Sequence, residues 1–301
     1  MLDVFSFCTM LFRSFCLTGI KREYTLKIPK QEVTNMSNYI DLIRKRRSVR
    51  TFDSKRISDE DLNKIKEFAR GADNPYGIEF EWFFLDASKD DLNVPVIVDC
   101  DIYMTGKARK AEHLEEAFGY SFEKIVLFAQ SLGVGTTWIA GTMDRKAFEK
   151  AIDLKDDEVM PCISPLGNPA AKMAFREVMM RKGIKADTRK DNREIFFDEE
   201  YNRPLVINEN MKDVFEGIRL APSAVNKQPW RIIRKGNSFH FYLKQELKGE
   251  GEMNIQKIDI GIALCHFDLL TKEKGLSAKL SLEDPGISVP NDVSYIATYT
   301  I

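Results

Sequence analysis

The residues best suited to chemistry lie in one decapeptide, Ala221-Pro222-Ser223-Ala224-Val225-Asn226-Lys227-Gln228-Pro229-Trp230. Ser223 and Asn226 offer a hydroxyl and an amide that can both donate and accept, while Pro222 fixes φ and removes a donor. A flat heterocycle with paired donors and acceptors suits such a set. The second candidate is the basic run Arg44-Lys45-Arg46-Arg47-Ser48-Val49-Arg50. Alone it reads as a nucleic-acid or localisation patch. Ser223 does not sit in a G-x-S-x-G elbow and the chain has only three histidines, so a hydrolase nucleophile is not indicated.

The elements around these residues can be read from spacing. Met211, Val214, Phe215 and Ile218 fall at i, i+3, i+4 and i+7, one apolar helix face, and Pro222 disfavours helical geometry at Ala221, where the helix should stop. Trp230 to Ile233 reads as a strand, so Ser223 and Asn226 sit on a short loop held at both ends, a good ligand platform. A helix opening at Met36 uses Ile40 and Ile43, and the basic run falls near its end, where the dipole repels anions. Any anion held there would have to be attracted by guanidinium charge rather than by free amides. Ser58 caps a predicted helix using Leu62, Ile65, Phe68 and Ala69 that ends near Gly71, and Trp82 to Leu85 reads as a strand. Phe122, Ile125, Val126, Phe128, Ala129 and Leu132 predict a long apolar helix ended by Gly133-Val134-Gly135. Glu158 to Pro169 reads as a strand running into a Gly/Pro turn, followed by a mobile segment, and Val293 to Ile301 as a matching final strand.

Two blocks recur. Leu62, Ile65, Arg70 and Phe83 match Met211, Val214, Arg219 and Ile232 at an offset of 149. Gly119, Phe122, Ile125 and Gly133 match Gly261, Leu264, Phe267 and Gly275 at an offset of 142. An internal duplication is the expectation, but the copies differ where chemistry is concerned. Asp73-Asn74-Pro75-Tyr76-Gly77 stands in the first copy where Pro222 to Asn226 stands in the second.

Composition narrows the class. With 44% hydrophobic and 30% charged residues, the 301-residue chain reads as a globular protein with a substantial core. A formal net charge of -1 argues against a nucleic-acid binder, which would carry a basic surplus. Five cysteines, at 8, 16, 100, 162 and 265, form no C-x-x-C pair and suggest reduced thiols in a cytoplasmic compartment. His113, His240 and His266 lack ligand spacing, so no zinc site is expected and each reads as a surface or ordinary packed residue. Val4 to Ile20 is mostly apolar but carries Arg13 in its middle, a poor membrane span. It also lacks the leading basic residues of a signal peptide. Residues 1–35 are read as an extension or a mis-assigned start, 36–200 as a first module and 201–301 as a second, shorter one.

The decapeptide resembles the flavin loop of the nitroreductase family, the FMN-dependent NAD(P)H oxidoreductases, whose pattern is A-P-S-x-x-N-x-Q-P-W. All seven defined positions match. Arg46-Arg47-Ser48-Val49-Arg50 is similar to the family's R-x-S-x-R/K motif, which holds the FMN phosphate and reaches the ring. Thr136 to Gly141 resembles its G-L-G-x-x-W-I-G-G loop, which presents backbone N–H groups near flavin N5. Arg189-Lys190 before Glu194-Ile195 is similar to the basic R-K-P-L-E-E-I tail, with Asp191 in place of the usual proline.

The resemblance implies an α+β fold of two pseudo-symmetric modules, with mainly antiparallel sheets flanked by helices. Family members are usually homodimers with FMN in the interface. Here the first half would supply Arg46, Arg47, Ser48, Arg50, Ile139, Ala140, Gly141, Arg189 and Lys190, and the second Pro222, Ser223, Ala224 and Asn226. The implied protein is a single-chain pseudo-dimer, monomeric, with one FMN per chain and no partner in nucleic acid or membrane. Its implied activity is ping-pong transfer from NAD(P)H to a nitroaromatic, quinone or related small-molecule acceptor, with no catalytic side chain and no metal, because the cofactor carries the chemistry. Arg50 near N1 and C2=O would stabilise the negative charge of the reduced ring. The competing readings are a flavin-binding carrier or redox sensor without turnover, and a structural pseudo-dimer with nothing in its interface.

Overall fold

Apolar spacing and capping residues set the elements in the places expected, and long-range packing sets what they carry. The computed structural model describes residues 38–247 and 253–301. The expected extension over 1–35 and the helix start at Met36 lie outside the described residues. Helix α1 (Tyr39–Lys45) is capped by Asn38, buries Ile40 and Ile43, and ends at Arg46, whose backbone is extended. Helix α2 (Asp59–Arg70) starts where the Ser58 hydroxyl accepts from the Asp61 amide at 3.0 Å.

The first half builds an antiparallel sheet from β1 (Glu81–Asp86), β2 (Ile102–Arg109), β3 (Glu158–Val159) and β4 (Ile163–Pro165). Strand β2 is central, paired with β1 from Glu81 opposite Lys107 to Asp86 opposite Ile102, and with β4 through Met104 opposite Ser164. The single strand expected over 158–169 is two short ones, divided around Pro161, which has no N–H for a ladder. The short helices α3 (Ala87–Asp90) and α5 (Arg145–Ala151) precede and follow the long α4 (Leu114–Ser131) along the chain.

Where a mobile segment is expected after Pro169, the chain forms α6 (Phe175–Gly183). Its anchor is polar: the Thr51 hydroxyl donates to the buried Glu177 carboxylate at 2.7 Å. Phe175 is 79% exposed, so this helix turns its charged face inward and an apolar residue outward. Helix α7 (Asn192–Ile195) carries a capping box between Asp191 and Glu194 and leads into β5 (Phe196–Asp198).

In the second half, α8 (Lys212–Leu220) buries Val214, Phe215 and Ile218 and stops at Ala221, as Pro222 requires. A sheet follows in the order β5, β6 (Trp230–Lys235), β7 (Ser238–Lys244), β9 (Val293–Thr300), β8 (Lys279–Ser281). Its pairs are antiparallel except β5 with β6, which is parallel, so the stretch before residue 201 joins the second sheet. Helix α9 (Ile255–Glu273) is the counterpart of α4.

The two long helices cross at glycines. A Cβ on Gly119 would lie 2.1 Å from the Ile258 carbonyl oxygen, and one on Gly261 would lie 2.1 Å from that of Glu116. Residues 119 and 261 differ by 142, as do 116 and 258, so each helix meets the other through equivalent positions, the signature of a two-fold relation. The β1 span 81–86 shifted by 149 is the β6 span 230–235. One continuous core takes Ile43, Phe118 and Ile125 from one half and Ile218, Trp230 and Leu264 from the other. This is the expected α+β arrangement, antiparallel sheets flanked by helices, with the α4/α9 pair between them.

Candidate functional site

A cavity of about 700 Å³ opens beside the helix crossing and draws its wall from both halves. That size suits a cofactor or drug-sized ligand. From the first half come Arg46, Arg47, Ser48 and Arg50, then Ile139, Ala140 and Gly141, and Arg189; from the second come Pro222, Ser223, Ala224 and Asn226. Twelve of the thirteen expected residues thus line one space. Lys190 does not. Its ammonium is held by Glu246 at 2.7 Å and its amide donates to the Gln228 side chain, so of the Arg-Lys pair only Arg189 faces the cavity.

The basic end has a definite chemical demand. Nε and Nη1 of Arg46, Nη1 of Arg47 and Arg50, and Nε of Arg189 are all buried without a hydrogen-bond partner among the described residues. Arg46 is 8% exposed. Burial lowers its pKa, partly opposed by Glu123 and reinforced by Arg181. Burial likewise lowers Arg50, and it pushes Arg189 down to about 10 with help from Arg46 and Arg219. Carboxylates balance this charge only in part: Glu123 stands 3.8 Å from Arg46 Nε and Glu177 3.6 Å from Arg47 Nη1. Buried guanidinium groups with unused donors call for an anion, and a phosphate matches their fork geometry.

The loop at 222–228 is stiffer than its sequence suggests. Val225, Asn226 and Gln228 have φ of 42°, 58° and 52°, a costly region for a β-branched residue such as Val225. Gln228 N donates to the Ser223 hydroxyl at 2.9 Å. The Asn226 amide, expected to meet a ligand, is spent on the protein: Nδ2 donates to the Lys185 and Thr188 carbonyls at 2.6 and 3.0 Å, and Oδ1 accepts from Gln228 Nε2 and Arg189. Asn226 therefore fastens the loop to the 185–189 segment and steadies Arg189.

Sequence reading missed Asp259. It lies on α9, 3% exposed, and both of its oxygens lie 3.1 Å from the Ala224 N–H they accept from. Burial raises its pKa well above the carboxylate range, with the Ala224 bond a smaller opposing effect. A lone acid on an apolar helix face was its only signal. Arg181 and Glu177 were hidden in the supposed mobile segment.

At the opposite end, the 138–141 segment is pinned by the paired backbone bonds of Ile139 and Ile163, at 3.0 and 2.9 Å. Arg145 clamps it, donating to the carbonyls of Ala140, Met160 and Pro161 at 2.9, 2.6 and 3.1 Å. The amides of Ala140 and Gly141 take no protein partner among the described residues. A second groove of about 790 Å³, lined by Lys110, Arg145 and Glu149, meets the cavity at Ala140, Gly141 and Ile255. The cavity can thus hold an anion at one end and a flat polar ring edge at the other, with an open route beside the ring. None of the described helices is long and apolar enough to cross a membrane.

Known proteins resemble this chain in both sequence and fold. A solved structure from Thermotoga maritima, described as a "putative nitroreductase", superposes with a TM-score of 0.58 at 20% identity, covering 87% of this chain and 93% of that one. An FMN-dependent nitroreductase from Clostridium difficile R20291 matches at 22% identity and a TM-score of 0.40, over 45% of this chain and 91% of its own. A nitroreductase family protein from Clostridium novyi NT gives 21% and 0.39, over 44% and 86%. No curated protein matches the chain. The family model described as "Putative TM nitroreductase" matches residues 38–271, and the chain accordingly belongs to this nitroreductase family.

Proposed function

We propose that this protein is an FMN-dependent oxidoreductase that takes hydride from NAD(P)H and reduces nitroaromatic, quinone or related small acceptors by a ping-pong cycle. The observation that carries this reading is the cluster of buried arginine donors without partners in the same cavity as the 222–226 loop and the open amides of Ala140 and Gly141. Family membership supports it, as do solved structures whose descriptions name FMN.

When bound, FMN supplies the chemistry, accepting two electrons from the nicotinamide and releasing them to the acceptor. The chain's task is to hold, orient and polarise. Arg46 and Arg189 would bind the phosphate, Arg50 would place positive charge beside the ring, and Ala140 and Gly141 would offer N–H groups to its edge. Pro222, Ser223 and Ala224 form the facing wall. The groove beside Ala140 and Gly141 would give donor and acceptor access to the ring in turn.

The same reading gives one FMN per chain in a duplicated, single-chain pseudo-dimer. At the pseudo-symmetric position, the residues matching 46–50 after a shift of 149 are 195–199, Ile195-Phe196-Phe197-Asp198-Glu199. Ile195, Phe196 and Phe197 are buried in the core, and none of the five residues can neutralise a phosphate. Asp73 is ion-paired with Lys124, and Asn74 is spent on Ile78 O and Ser121. An unpaired buried phosphate is too costly to keep there.

The test is flavin released on denaturation against protein concentration, mass by light scattering, and anaerobic spectra before and after NAD(P)H. One FMN per chain, bleached by NAD(P)H and restored by a quinone, is expected. Two per chain overturn the pseudo-dimer, absence of flavin binding overturns the site, and bound flavin without turnover makes the protein a carrier or sensor.

A further inference from the structure

A buried polar junction that the chemistry above does not use lies behind the cavity. His266 on α9 and Glu123 on α4 have no exposed surface. His266 Nδ1 lies 2.8 Å from the Gly217 carbonyl oxygen, and Nε2 lies 3.0 Å from Glu123 Oε1. A carbonyl only accepts, so Nδ1 carries a proton. Nε2 facing a carboxyl oxygen makes a hydrogen bond only if a further proton lies between them. The pair therefore shares one proton across the two halves of the molecule.

Glu123 extends this junction to both ends of the cavity wall. Its Oε2 accepts from the Trp138 indole N–H at 3.1 Å, and its Oε1 stands 3.8 Å from Arg46 Nε. Trp138 leads directly into Ile139, Ala140 and Gly141, and its ring is fixed edge-on against Phe122 at 4.8 Å. A Cβ on Gly217 would lie 2.1 Å from Leu270 Cδ1, so glycine lets α8 sit close against α9 where its carbonyl meets His266.

We infer that His266 and Glu123 are positioning residues. Their shared-proton pair holds Glu123 between Trp138 and Arg46, and so sets at once the segment that meets the ring edge and the guanidinium that meets the phosphate. The inference rests on the flavin reading of the cavity. With its His266 bond gone, the Glu123 carboxylate has Arg46 as its nearest unused donor. It turns toward that guanidinium, draws it from the cavity and loosens Trp138.

Two variants of similar polarity separate this role from general packing. In His266→Gln the amide nitrogen falls near the place of Nε2 and still donates to Glu123; in His266→Asn it falls near Nδ1, keeping Gly217 and abandoning Glu123. Dissociation constants for FMN and riboflavin are measured on the flavin-free chain by fluorescence quenching. His266→Asn should weaken FMN about tenfold, the loss of one charge-assisted bond, and riboflavin several-fold less, because riboflavin shares the ring-edge segment but has no phosphate for the guanidinium to meet. His266→Gln should keep both constants. Equal losses for both ligands, or the same FMN-to-riboflavin ratio in both variants, overturn the inference.

The second readout needs no flavin. Hydrogen exchange of the Trp138 indole N–H, followed by NMR, should quicken in His266→Asn and stay slow in His266→Gln; equal protection in the two also overturns it. Wild-type protein that binds neither ligand would sink the flavin reading alone and leave the exchange contrast to decide the junction.

Discussion

Replacing Arg46 by Met should separate the affinity of the site from the stability of the fold. Arg46 is 8% exposed and lines the cavity, with Nε and Nη1 lacking hydrogen-bond partners. Its nearest carboxylate, Glu123, stands at 3.8 Å and already accepts from His266 and Trp138. Removing the guanidinium therefore leaves no carboxylate without a donor. It also relieves Arg189, whose pKa is held at about 10 first by burial and then by Arg46. Exchanging a buried charge for a well-packed apolar side chain is often neutral or stabilising, so the flavin-free variant should melt at or above wild type. FMN loses one or more charge-assisted bonds, about 1.5–3 kcal/mol each, or roughly ten- to 150-fold in affinity. Riboflavin has no phosphate and should bind nearly as before. Titration with both ligands, beside thermal melts of the free chain, provides the test. Equal losses for the two ligands, or a lower melting temperature with FMN affinity intact, would refute the argument.

Three further outcomes follow from single features. Val225 is half exposed and held at φ 42°, so Val225→Gly should stabilise the chain by at most about 1 kcal/mol, the relief of left-handed strain less the greater unfolded freedom of glycine, a gain read by denaturant midpoint; a clear loss would show that Val225 is not strained. Gly261→Ala would place a Cβ 2.1 Å from the Glu116 carbonyl oxygen, helix backbone that cannot turn aside. It should cost about 3 kcal/mol or more, the upper range for overpacking, and a wild-type unfolding curve would disprove the tight crossing. Asp259 has a folded pKa raised by burial, so its contribution to stability is complete below the unfolded pKa of about 3.9 and is lost as pH rises through the folded value. Asp259→Asn should melt several degrees above wild type at neutral to alkaline pH, with the gap closing toward pH 4; a gap independent of pH would show that the carboxyl does not titrate as described.

Local structure was legible because its causes are local. Ser58, Gly71 and the period of Leu62, Ile65 and Phe68 mark α2 within one stretch of chain, and Pro222 stops α8 wherever the rest of the protein lies. The offsets of 149 and 142 carried over to the spans of β1 and β6 and to the crossing of α4 and α9, because equivalent spacing of apolar residues dictates equivalent burial.

What the tertiary structure decided is where polar groups point, since their partners lie far away in sequence. Helix α6 was invisible as an ordered element because its anchoring residue is Glu177, fixed by Thr51 from 126 positions away, while Phe175 faces solvent. An apolar-inward rule reads such a helix backwards. The Asn226 amide reads as a ligand contact by type, yet carbonyls at 185 and 188 claim it. Arg189 and Lys190 are neighbours of equal charge, and only the position of Glu246 sends one to the cavity and the other away. His266 looks like an ordinary packed histidine until Glu123, 143 residues earlier, is brought to 3.0 Å. Sequence spacing determined which elements form and which residue types are on hand. Long-range packing alone determined which of their donors remain free, because a buried polar group is satisfied or left wanting only by what the rest of the chain brings beside it.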